Sequence, residues 1–206
     1  MSESSDTYFT VAGKGEAVYR EKASKFIGLA FPAGSETEVM AILQSIRKRY
    51  HDANHHCFSY CLGPSREIYR FNDDGEPSGS AGRPIYGQLL SRAVSDTLVI
   101  VVRYFGGTKL GIPGLIHAYR QAASDALDDA GKTEKVVTQN ITVSFPYENM
   151  NDVMRIQKEE ELGIADQNFD GECRITLSVR KSKVDKILKK LMRFQNISTL
   201  VHSLNK

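Results

Sequence analysis

The residues able to do chemistry gather in two glycine-rich stretches. The first is Asp73-Asp74-Gly75-Glu76-Pro77-Ser78-Gly79-Ser80-Ala81-Gly82-Arg83-Pro84, and the second is Arg103-Tyr104-Phe105-Gly106-Gly107-Thr108-Lys109-Leu110-Gly111-Ile112-Pro113-Gly114. A glycine loop that runs into a helix can turn its backbone N–H groups toward an anion. In the second stretch an aliphatic strand, Gly106-Gly107, Lys109 and a helix start at Pro113 follow one another, which is the outline of a phosphate cradle. Lys109, the loop amides and Arg103 would be its ligands. Neither Gly-x-x-x-x-Gly-Lys-Ser/Thr nor Gly-x-Gly-x-x-Gly is present, so no nucleotide fingerprint is met. The competing reading is that the glycines serve tight turns and close strand–helix packing, and both stay open. Clustered acids such as Asp73, Asp74 and Glu76 can hold Mg²⁺ or Ca²⁺. Their spacing is not that of an EF-hand, however, and salt bridges to Arg83 or Arg103 are expected instead. The anion- or surface-binding candidates are therefore Asp73, Asp74, Glu76, Arg83, Arg103 and Lys109, with no metal and no cofactor assigned.

Three further patterns bear on chemistry. His55, Cys57 and Cys61 share one face of a strand, but a tetrahedral zinc site draws ligand pairs from separate segments and Cys173 stands alone. A Cys-His hydrolase built on Cys57 or Cys61 lacks a visible oxyanion hole or partner acid. No catalytic residue is assigned, and the reading leans away from an enzyme. From Arg174 to Arg193 eight basic residues face one acid, Asp185, a local charge of +7 in a chain of net charge +2. Lys183, Lys186, Lys190 and Arg193 are the nucleic-acid-binding candidates. Without interleaved aromatics, contact with a phosphate backbone or an acidic protein fits better than base stacking.

The elements that must position these groups fall into two sets. Tyr8–Val11 and Ala17–Glu21 read as a hairpin around Gly13-Lys14-Gly15, followed by a strand from Lys25 to Pro32. Ser35-Glu36-Thr37-Glu38 matches a capping box before an apolar helical face of Val39, Ile42, Leu43, Ile46 and Tyr50. His55–Leu62 and Glu67–Asn72 read as strands, and Leu98–Val102 as a central strand covered on both faces. Pro84 and Pro113 suit the first turns of helices, and Gly131 ends the second of these. Lys132–Val137 reads as a linker. Beyond it the pattern is βαββαβ, with a hairpin turn at Asp170-Gly171 and a capped helix starting at Ser182. The expectation is an α+β protein with domains at 1–134 and 138–206. Its 206 residues with 41% hydrophobic content suit a soluble chain. Three cysteines make a poor disulfide framework. No apolar run approaches the roughly 20 residues that span a bilayer. The opening Met1–Asp6 lacks the basic and apolar parts of a secretory signal, so a cytoplasmic location is expected.

Lys22-Ala23-Ser24-Lys25-Phe26-Ile27-Gly28, Ala53-Asn54-His55-His56-Cys57, the Asp73–Pro84 loop and Val101–Gly111 occur in this order. Together they resemble the YigZ/IMPACT family, in its bacterial two-domain form. The resemblance implies an N-terminal domain like the second domain of a small-subunit ribosomal protein. It also implies a C-terminal ferredoxin-like domain like the last domain of elongation factor G. Eukaryotic members regulate translation with the help of an additional N-terminal domain not seen in this sequence. The implied role is a non-enzymatic, translation-associated protein with RNA, the ribosome or a translation factor as partner and no membrane. The alternative is a small-anion binder or enzyme using a cleft between the two glycine loops. The family commonly reads Gly-Thr-Gly-Gly-Leu-Val-Arg-Ala-Tyr where this chain has Gly111-Ile112-Pro113-Gly114-Leu115-Ile116-His117-Ala118-Tyr119. Pro113 removes an N–H from the cradle, and His117 replaces a permanent charge.

Overall fold

The structure is a computed structural model, and it describes residues 6–171 and 173–202. Met1–Ser5, the bulk of the segment read for a leader, lie outside the described residues. The chain forms mixed α and β structure with five α-helices and three sheets among the described residues. Two compact units result, Tyr8–Lys135, and Val136–Lys206 together with the chain start up to Thr7.

The first unit is built on a five-stranded antiparallel sheet. Its strands are β2 (Gly15–Glu21), β3 (Ser24–Pro32), β6 (Thr97–Tyr104), β4 (His55–Leu62) and β5 (Ile68–Asn72), in that spatial order. As the unbroken aliphatic run required, β6 is central. Leu98, Ile100 and Val102 face one core, and Val99 and Val101 the other. Helix α1 (Glu36–Arg49) covers the first face with Val39, Leu43 and Ile46. Ser35 caps it by accepting from the Glu38 N–H, while Glu38 reaches back to the Gly34 N–H. Helices α2 (Gly82–Ser91) and α3 (Gly111–Ala130) cover the second face. At Gly28, β3 lies so close to α3 that an added Cβ would stand 2.1 Å from the Ala122 carbonyl oxygen.

Two strand assignments differ from the sequence reading. Strand β2 pairs with β3 through the two-residue turn Lys22-Ala23, both at positive φ, and not with the strand before it. That earlier strand, β1 (Thr7–Val11), instead joins β7 (Lys132–Val136) in a two-stranded ribbon. The expected linker is therefore a strand. Its side chains are all exposed, so no alternation betrays it, and its pairing partner lies at the other end of the unit.

The second unit runs β8 (Thr138–Phe145), α4 (Met150–Glu159), β9 (Gly163–Asn168), β10 (Cys173–Arg180), α5 (Val184–Leu191), β11 (Ser198–Val201). The sheet order β11-β8-β10-β9 is antiparallel throughout. Ile141, Val143, Phe145, Ile175, Leu177 and Val179 meet the apolar sides of α4 and α5. The expected side-chain cap on α5 is missing. A 3₁₀ turn at Lys181–Lys183 leads into the helix, and the Ser182 N–H donates to Asp6. No helix among the described residues is long and apolar enough to cross a membrane.

Candidate functional site

The first glycine loop closes on its own aspartate. Asp73 accepts backbone N–H bonds from Gly79 at 2.9 Å, Ala81 at 3.0 Å and Gly82 at 2.8 Å. A carboxylate at the start of α2 occupies the place an external anion would take, and it complements the helix dipole. Asp74 is also committed: it accepts from the His56 N–H at 2.6 Å and pairs with Arg47 at 3.2 Å. Glu76 turns the other way. Its side chain is 4% exposed, receives Arg103 at 2.6 Å and the Tyr119 hydroxyl at 2.7 Å, and lies 3.8 Å from His55. The three acids thus diverge, and no metal-holding group of His, Cys, Asp or Glu exists among the described residues.

Of the expected salt bridges, Glu76–Arg103 forms, whereas Arg83 stands over the Phe71 ring at 6.0 Å. Arg83 lines a different depression, with Arg120 and Gly87. The second loop also shows why its first glycine is needed. A Cβ on Gly106 would lie 2.1 Å from the Ala23 backbone, so the loop packs on the β2–β3 turn. The Gly106 N–H donates to Ser24 Oγ at 3.2 Å. Close packing, not phosphate approach, fixes that residue.

What the two loops do share is a cleft of about 440 Å³. Glu76 and Pro77 come from the first loop, and Arg103, Phe105, Lys109 and the start of α3 from the second. Asn54 and His55 complete it from the start of β4. Asn54 accepts the Phe105 N–H at 2.7 Å and so pins that wall. His55 Nδ1 lies 2.8 Å from the Asp74 carbonyl oxygen, which can only accept. The ring proton therefore sits on Nδ1, and Nε2 is turned toward Glu76. In the sequence Tyr119 appears only as the end of the Gly111–Tyr119 motif, and its bond to Glu76 is not foreseen there. Phe105 as a cleft wall also went unseen; it lies just past the end of β6, where strand alternation no longer places a side chain.

Arg103 is the hub. It is 5% exposed, sits 5.3 Å from the Phe26 ring and 5.5 Å from the Phe105 ring, and carries a buried Nε with no partner. Behind it, Cys57 Sγ lies 3.4 Å from the Tyr119 hydroxyl and 3.0 Å from the Asp73 carbonyl oxygen. Burial pushes both the Cys57 thiol and the Tyr119 phenol well up. Cys61 is pushed up to about 11, again chiefly by burial. Thiols held protonated in this way are poor nucleophiles.

The first unit carries the sequence signature as well. The Impact N-terminal domain model matches residues 22–127, slightly more than half of the chain. The chain belongs to the IMPACT family. It is 39% identical over 141 residues to the IMPACT family member YvyE of Bacillus subtilis, covering 68% of this chain and 65% of that relative. To the IMPACT family member YigZ of Escherichia coli it is 28% identical over 175 residues, covering 84% and 86%. A solved structure titled as that of a hypothetical protein covers 98% of both chains with a TM-score of 0.76 and 26% identity.

The basic run in this IMPACT-family chain divides in two. Lys186 reaches Glu160 at 2.9 Å, and Lys190 bonds the other oxygen of the same carboxylate. Both lysines hold the end of α4 against α5, and their bonds draw the Glu160 carboxyl down to about 2. Lys183, Lys189 and Arg193 are exposed, and the described residues give them no ion-pair partner.

Proposed function

We propose that this IMPACT-family protein is a non-enzymatic, translation-associated binding protein of the cytoplasm. Its domain at 138–206 contacts RNA, free or on the ribosome, through phosphates. One observation carries the reading: in a run with eight bases and one acid, Lys183, Lys189 and Arg193 remain exposed and without an ion-pair partner among the described residues after Glu160 has claimed two lysines. Cations without internal partners are the ones available to displace counterions from a phosphate backbone. The family resemblance implies a ribosomal-protein-like domain at 1–134 and an elongation-factor-like domain at 138–206, and proteins built from such domains work on RNA.

The test is co-sedimentation with ribosomes across a salt series, comparing the native chain with the triple variant Lys183→Glu, Lys189→Glu, Arg193→Glu. Retention should fall and its salt dependence should flatten, by close to one unit of slope for each phosphate no longer neutralised. Lys186 and Lys190 are left untouched, because reversing them would unseat Glu160 and report on folding. Equal retention of the triple variant at every salt concentration refutes the reading.

A further inference from the structure

We infer that the cleft between the two glycine loops is a binding site for a small phosphate monoester with a flat apolar body, of mononucleotide size. The inference does not rest on the RNA reading, which concerns the other unit.

Three independent observations converge. First, Arg103 lines the cleft, is more than nine-tenths buried, and its Nε is a buried donor with no partner. The Nε itself is closed to the cleft, but of the five guanidinium donors only one on Nη1, to Glu76, and one on Nη2, to Ser24 at a long 3.5 Å, are engaged, so the group keeps donors for an acceptor. Second, the 20-residue helix α3 opens into the cleft at Gly111 and Ile112 without a side-chain cap and without an acid in its first turn. Its counterpart α2 has Asp73 at that place, so the two helix starts differ in whether the chain supplies its own anion. Pro113 removes one donor from α3, yet the two preceding amides remain. Third, Lys109 is exposed in the cleft wall and has no partner among the described residues. The one carboxylate in the cleft, Glu76, is held by Arg103 and Tyr119 and is almost fully buried, so it does not oppose an anion from the surface.

The rest of the wall defines the body of the ligand. Phe105 is 45% exposed and Ile112 is 54% exposed, while Leu110 and Leu115 extend the apolar surface. A half-exposed phenyl ring beside aliphatic side chains suits a flat ring placed against it. A volume of about 440 Å³ falls within the range of small-molecule sites and is too small for a folded partner. Donors from a guanidinium, an ammonium and two amides match the several acceptor oxygens of a phosphate.

The test uses the full chain and isothermal titration with adenosine 5′-monophosphate, phenyl phosphate, inorganic phosphate and adenosine. Both monoesters should bind, inorganic phosphate more weakly, and adenosine should not bind. Lys109→Glu, at an exposed position that leaves the core intact, should weaken both monoesters at least about tenfold. Phe105→Ala should weaken the monoesters and leave inorganic phosphate unchanged. Absence of binding by either monoester overturns the inference. So does binding of adenosine equal to that of its monophosphate, or unchanged affinity in Lys109→Glu. Circular dichroism of each variant verifies that the fold is retained.

Discussion

Glu76 and Arg103 form a charge pair that is almost wholly removed from water, with side chains 4% and 6% exposed. Replacing Glu76 by Gln preserves shape and acceptor but leaves the guanidinium buried with no counter-charge. Breaking one side of such a pair costs about 3–5 kcal/mol. The Tyr119 bond survives on the amide oxygen, so the low end, about 3 kcal/mol, is expected. Arg103→Met leaves the opposite fault, a buried carboxylate with the Tyr119 hydroxyl and, at 3.8 Å, His55 beside it, and a similar loss follows. The double variant Glu76→Gln with Arg103→Met removes both charges of the pair. Its loss should fall short of the summed single losses by about 2 kcal/mol, as contacting residues in one network do. Urea unfolding reads this out. With a slope of about 2 kcal/mol per molar, each single variant moves its midpoint by about 1.5 M. The chain has nine tyrosines and no tryptophan, and every tyrosine except Tyr147 lies within Tyr8–Lys135, so tyrosine fluorescence reports on the unit in question. Losses that add within about 0.5 kcal/mol would mean that the pair is not coupled, and the account of Arg103 as the hub would fail.

Two other predictions follow from geometry already described. Glu160 titrates near 2 in the folded chain against 4.5 for a free glutamate, so its bonds to Lys190 and Lys186 stabilise the fold above about pH 4.5, and that contribution is lost as pH falls toward 2. In the pair variant Lys186→Gln, Lys190→Gln, an NMR titration should find Glu160 back near its ordinary value, and acid unfolding should begin from a less stable state. Gly28→Ala forces a Cβ onto the Ala122 carbonyl, 2.1 Å away, and should cost about 1–3 kcal/mol or more. Gly87→Ala in α2 meets no atom within 4 Å and should gain about 0.5–1 kcal/mol. Thermal midpoints of the two variants should therefore move in opposite directions.

Local signals were the readable ones. The Ser35 cap, the α1 face, the central β6 strand and the hairpin before β10 all follow from residues within a few positions of one another. The family likewise lay in contiguous motifs, and the domain match over residues 22–127 agrees with it. What escaped depends on long-range pairing. Lys132–Val136 has the composition of a linker, and only β1, more than a hundred residues earlier, makes it a strand. Asp73 reads as one more loop acid until the loop folds and three amides converge on it. Lys186 and Lys190 read as free surface charge because Glu160 lies at the end of another helix. In the cleft, Glu76, Arg103 and Lys109 were all named from sequence. What the sequence withheld was that Asp73 and Asp74 face elsewhere, and that the wall includes Phe105 and His55.

The ribbon of β1 and β7 has a consequence for how such chains are assembled. Ala12 and Gly13 donate to the carbonyls of Gly131 and Ala130, so the polypeptide enters and leaves the first unit side by side. A body whose two ends meet at a zipped neck is a cassette. It can be spliced into a longer chain, or fitted with a different companion, without rethreading its five-stranded sheet.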